Sequence, residues 1–302
     1  MFFDPDHYYK HFADYTDLAE LSWPQLTAAL SARWAEERPD AEIAEFAELV
    51  RGFDLGVDAD AVARQWFRVF HLEQLAFALG LRNAVAHGAL TVEGDGPVRE
   101  LLARDGSVVF VTPHHGPHFL VHALLPMLEL GAFGGGKVSE EIVSGIKGVC
   151  DLHDIGYDDL DGVDFTGDFK QVLMQLMFSG KSITLYPEYS RSPRRGSHTA
   201  SFFGRTVHAP TGVARLAAGF QRELVMVRLE RRGDFRYALV LGPTWTVSND
   251  EAAIRSTIDA LFAITDALVQ SDPGTWQGWR FLDVMQNNGV QALLRKMAEK
   301  VA

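Results

Sequence analysis

Between Gly106 and Leu130 the chain passes from a glycine-serine turn into the run Val108-Val109-Phe110-Val111-Thr112, then through four histidines, then into a helical pattern. A short apolar, β-branched run bounded by turn residues is the mark of a strand buried on both faces. Such a strand needs helices on both faces of its sheet, which commits the chain to an α/β arrangement. The histidines then fall at the strand's carboxyl end, where open α/β sheets bind their ligands. A loop in that position exposes side chains while the sheet holds its backbone still.

The rest of the sequence follows the same alternation. The pattern predicts a helix from Ser22-Trp23-Pro24 and another over Asp58 to Gly80, the latter with Val62, Trp66, Val69, Phe70, Leu72, Leu75 and Phe77 as a broad apolar stripe. It predicts helices over 117–130, bent at Pro126, and over 167–179, 210–220 and 249–271. Strands are predicted over 182–188, 223–230 and 235–242, with KVSEEIVSG (137–145) as a weaker strand. The fold expected is α/β, a mostly parallel, doubly wound sheet with helices on both faces and an N-terminal helical subdomain. The boundary is placed so that residues 1–95 form the helical part and 96–302 the α/β domain. The aromatics Phe2, Phe3, Tyr8, Tyr9 and Phe12 are read as packing on the core.

Composition narrows the function. Apolar residues at 47% and charged residues at 23% suit a chain with a sizeable core. A formal charge of −12 repels phosphates, which argues against nucleic acid and anionic bilayers as partners. A single cysteine, Cys150, allows no internal disulfide and fits a reducing cytoplasm. The opening MFFDPDHYYKHF lacks the features of a signal peptide, and no apolar stretch approaches the ~20 residues that span a bilayer. A soluble, cytoplasmic protein without an integral membrane anchor is expected.

Within TPHHGPHFLVH (112–122), His114 stands directly at the strand end, and imidazole is the side chain best suited to take a proton near neutral pH. His118 and His122 lie on the following helix, where packing is the plainer reading for a histidine. The spacing of His114, His118 and His122 would allow a shared metal, but Pro117 starts the helix after His114 and no second ligand cluster accompanies them. No metal is expected. Arg191, Arg194 and Arg195 cluster in one loop of an acidic chain, and guanidinium forks suit phosphate, sulfate or carboxylate. Thr211 and Gly212 open a helix after Pro210, where backbone N–H groups can receive an anion or oxyanion. Trp276 and Trp279 are read as packing residues.

The block VTPHHGPHFL resembles the strand-to-helix motif of the lipid A lauroyl/myristoyl (late) acyltransferase family, which has a histidine, a glycine two residues on and an acid five positions after the histidine. Three more blocks are similar in the same order: LYPEYSRSPRRG (185–196), ASFFGRTVHAPTGVARLA (200–217) and, more loosely, DPGTWQGWRFLD (272–283). The resemblance covers about residues 100 to 285. It implies an acyltransferase in which His114 is the base that activates a nucleophile toward an acyl thioester. The family's acid position falls here on Phe119, which can neither fix an imidazole tautomer nor stabilise an imidazolium. Glu188, where the family also has an acidic residue, is the replacement expected, since neighbouring parallel strands end close together. The catalytic set is thus His114, His115 and Glu188, with His118, Arg191, Arg194, Arg195, Thr211 and Gly212 on the substrate.

The family's membrane anchor and basic surface segments are missing here, so the chain reads as a divergent soluble member rather than a lipid A enzyme. Its expected substrate is a small molecule or one bound to a carrier protein, with acyl-coenzyme A or an acyl-carrier-protein thioester as donor, and natural-product biosynthesis as the setting. Two alternatives stay open. One is a base-assisted, ring-forming displacement on the same fold, which would need the arginine loop and no acyl donor. The other is a non-catalytic partner subunit, whose sign would be copurification with another chain.

Overall fold

The computed structural model describes residues 12–130, 133–134, 140–156, 169–188 and 198–286. Phe2, Phe3, Tyr8 and Tyr9 lie outside them, as do Arg191, Arg194 and Arg195. After a 3-10 segment, Phe12–Glu20, helix α1 spans Trp23–Glu37. Its start is fixed by the Gln25 amide oxygen, which accepts from both the N–H and the hydroxyl of Ser22, and Pro24 occupies the first turn, where no N–H is needed. Helix α2 is Asp40–Arg51 and α3 is Ala59–Phe67, capped by the Asp58 carboxylate on the Ala61 N–H. The rod continues through a π-helical turn, Arg68–Glu73, into α4, Gln74–Ala86. The apolar stripe predicted to end at Gly80 therefore runs one and a half turns further. Gly80 is a kink rather than a stop: its φ and ψ are −120° and 31°, and a Cβ there would come within 2.8 Å of Leu26 in α1.

The sheet follows as β1 (Leu90–Glu93), helix α5 (Asp95–Asp105), β2 (Val109–Val111), helix α6 (Val121–Met127), β3 (Phe133–Gly134), helices α7 (Glu140–Leu152) and α8 (Phe169–Phe178), and β4 (Ile183–Leu185). A hairpin of β5 (His198–Phe202) and β6 (Arg205–Ala209) leads to α9 (Gly212–Phe220), β7 (Leu224–Gly233), β8 (Arg236–Trp245) and α10 (Glu251–Ser271). The strand order is β1-β8-β7-β2-β4-β3. The β7–β8 pair is antiparallel and the other described pairings in this sheet are parallel. The chain is thus α/β with a mixed, mostly parallel sheet. KVSEEIVSG is not a strand where it is described, because helix α7 begins at Glu140. Ile142, Val143, Ile146, Val149 and Cys150 recur at helical spacing, and that pattern outweighs their β-branching.

Alternate residues of the central strands enter two different cores. Val109, Val111, Leu224 and Met226 pack with α2, α3, α9, α10 and the indoles of Trp276 and Trp279. Val108, Phe110, Val225 and Val227 pack with α1, α4, α6 and Cys150. The N-terminal helices therefore share both cores with the sheet, and β1, which precedes residue 96, pairs along β8. No helix among the described residues is long and apolar enough to cross a membrane.

Candidate active site

The parallel register of β2 and β4 builds the site. Val109 faces Ile183, Phe110 faces Thr184 and Val111 faces Leu185. Past the strand ends the same offset continues: the Thr112 N–H donates to the Leu185 carbonyl (2.9 Å), and His114 meets Glu188. Glu188 is 2% exposed and holds His114 at two points. One oxygen accepts the His114 backbone N–H at 2.6 Å, and the other lies 2.9 Å from the ring Nδ1. A carboxylate accepts only, so Nδ1 carries the proton and the basic lone pair falls on Nε2. The ring is 13% exposed, is stacked on Tyr186 (4.2 Å between centroids) and meets His118 edge to face (5.0 Å).

Phe119, at the position where an acid would stand, is buried and packs against the His118 ring at 4.2 Å. The carboxylate comes from the neighbouring strand instead.

The loop is pinned from below by the segment after α10. The His114 carbonyl accepts from the Gln277 N–H (2.8 Å), the Gly116 N–H donates to the Thr275 carbonyl (2.7 Å), and His115 bridges to Trp276. His115 is buried. Its Nδ1–H donates to the Leu229 carbonyl (3.1 Å) and its Nε2 is bonded to the Thr275 hydroxyl. Both ring nitrogens are occupied in holding the loop, so His115 positions the segment that carries His114. Gly116 has φ +62°, and a Cβ would lie 3.0 Å from the Leu229 carbonyl oxygen and 3.3 Å from Tyr237. Gly116→Ala is expected to cost about 1–3 kcal/mol, read as a lower denaturation midpoint, because both the conformation and the space exclude a side chain.

Tyr237 in turn donates to Glu73 (2.7 Å), a fully buried carboxylate that also receives Arg231 and Arg68, each at 3.1 Å. The π-helical turn gives Glu73 this inward aim. One ionic cluster thus lies directly beneath the histidine loop.

Burial sets the charge state of the other histidines. It pushes His115 and His122 down to about 4 and His118 well below its ordinary value, with the nearby His114 ring as a further cause for His118. His122 bonds through Nε2 to the Tyr186 hydroxyl at 3.0 Å. At neutral pH these three rings are uncharged, while His114 has a carboxylate against it.

The structure therefore brings together His114, His115, His118 and Glu188. Thr211 and Gly212 form no hydrogen bond with His114 or Glu188; the Thr211 hydroxyl is taken by Arg215 (3.0 Å), which pairs with Glu251. Trp276 and Trp279 are fully buried against Phe202 and Phe203. No group of three or more His, Cys, Asp or Glu among the described residues is arranged to hold a metal ion. Three contributors carry little or no signal of their role in the sequence. Tyr186 could have been found from its place between the strand and Glu188; Thr275 and Gln277 carry no local signal, since they act through backbone and hydroxyl groups.

Fold and site together define an α/β protein with a partly buried histidine held by a buried glutamate at the carboxyl ends of two adjacent parallel strands. Compared with protein-family models and with curated proteins, the chain matches none.

Proposed function

We propose that the chain is an acyltransferase-like enzyme in which His114, oriented by Glu188, removes a proton from an amine or hydroxyl nucleophile that attacks an acyl thioester. The observation that carries this reading is the two-point grip of Glu188 on His114, which fixes both ring and backbone and leaves the lone pair on Nε2. The nucleophile gives its proton to Nε2, and Glu188 stabilises the imidazolium that results. As the new bond to the acyl carbon forms, the carbon–sulfur bond breaks, and the imidazolium returns its proton to the departing thiolate. The donor suited to this step is an acyl group on coenzyme A or a carrier protein. In this reading the sheet is doubly wound behind an N-terminal helical subdomain, and the enzyme works in the cytoplasm on a small or carrier-bound substrate of natural-product type. Resemblance in four ordered blocks supports the reaction class, and the carboxylate on His114 supports the role of the base.

The test is release of free thiol from acyl-coenzyme A donors of graded chain length, with amine and hydroxyl acceptors. Turnover is expected, and His114→Ala is expected to lower it by about 10²–10⁴-fold. Equal release by both proteins, or none with any donor, would overturn the proposal.

A further inference from the structure

The reaction above uses one of the four histidines in the loop and its helix, and it leaves a second lone pair unexplained. His118 is fully buried. Its Nδ1 lies 3.2 Å from the Gly116 carbonyl, which only accepts, so the proton sits on Nδ1 and Nε2 carries the lone pair. That Nε2 is buried and has no hydrogen-bond partner among the described residues. An acceptor left so in a folded interior costs about 1–3 kcal/mol, and such a group calls for an explanation. It is one ring away from the base: the His114 and His118 centroids are 5.0 Å apart, edge to face.

His118 Nε2 is thus an acceptor one ring from the base. An alcohol has one hydrogen to give, and the base takes it. A primary amine has a second. We propose that His118 Nε2 accepts a hydrogen bond from the nucleophilic nitrogen of the acceptor substrate, so that the site selects a primary amine over an alcohol. This rests on the His114–Glu188 base and narrows its substrate to one class. The product is then an amide: the amine loses one hydrogen through His114 to the thiol and keeps the one directed at His118. The surroundings fit the neutral amine that the attack requires, since the uncharged rings of Phe70, Phe119 and Tyr186 lie around His118, and such a setting disfavours the charged ammonium form. Burial keeps His118 uncharged at neutral pH, so it accepts rather than donates.

The experiment is a titration of the full chain, labelled with ¹⁵N-histidine, with n-butylamine and with 1-butanol, followed by long-range ¹H–¹⁵N correlation. The free protein is expected to show His118 protonated on Nδ1. The amine is expected to shift His118 Nε2 and His114 together and saturably, the alcohol to leave His118 Nε2 unmoved, and His118→Phe to weaken the amine's effect on His114 about tenfold. A proton on Nε2 of His118, equal responses to amine and alcohol, no saturable response to the amine, or unchanged amine binding in His118→Phe overturns the proposal. Should His118→Phe fail to fold, the wild-type titration decides alone. Failure of the underlying base shows separately, as a His114 ring without a proton on Nδ1.

Discussion

Glu188→Gln is expected to lower thioester turnover by about 10³–10⁴-fold while thermal stability moves little. Glutamine keeps one oxygen, which still accepts the His114 backbone N–H, so the loop stays in place. Its other end is an NH₂ group, and two donors cannot face each other across the 2.9 Å that separates the carboxylate from Nδ1. The ring relieves the conflict by moving its proton to Nε2, which removes the lone pair the reaction needs. The imidazolium would also lack its carboxylate. A kcat/KM measurement on the variant, paired with a ¹⁵N spectrum of His114, reads both effects. Wild-type turnover with the tautomer reversed would refute the dyad.

The second large effect is on stability in acid. Burial pushes His115 and His122 down to about 4 in the folded protein and His118 well below its ordinary value, against about 6.5 for histidine in an unfolded chain. Below pH 6.5 the unfolded chain therefore binds protons that the folded one refuses. The stability contributed by these rings is complete above pH 6.5 and drains away as the pH falls toward 4. Each contributes up to about 1.4 kcal/mol per pH unit, so His115 and His122 together approach about 3 kcal/mol per unit at the steepest, with His118 acting in the same direction. Across the window the two amount to roughly 7 kcal/mol, a large part of the about 5–15 kcal/mol that stabilises an ordinary domain. Asp272 works in the opposite direction, because burial raises its carboxyl, but His153, which burial also lowers, acts with the other three rings. Urea denaturation at stepped pH is expected to show midpoints collapsing between pH 6 and 4.5. Midpoints unchanged across that span would mean the rings are not held neutral.

The sheet-building parts of the chain were legible because their patterns are local. VVFVT, SITLYPE and ELVMVRLE announce buried strands, and the strand ends already suggested that Glu188 would reach His114. What could not be read was the register, and register makes the site: an offset of one residue would put Pro187 opposite His114 and turn the carboxylate to the other face. The roles of His115 and His118 were hidden for a similar reason. Their partners, Leu229, Thr275 and the Gly116 carbonyl, are backbone or hydroxyl groups, two of them more than a hundred positions away. The hairpin 198–209 escaped because its strands mix histidine, arginine and threonine with few apolar residues, so period-two alternation is weak.

The strap formed by Thr275 to Gln277 has a temporal consequence. On a ribosome, His114 and Glu188 emerge long before residue 277, and until then the carbonyl of His114 and the amide of Gly116 have nothing to hold them. A nascent chain carries His114 and Glu188 without the strap that fixes the loop between them and the helix. The loop's final geometry is set only when the closing segment docks, late in synthesis.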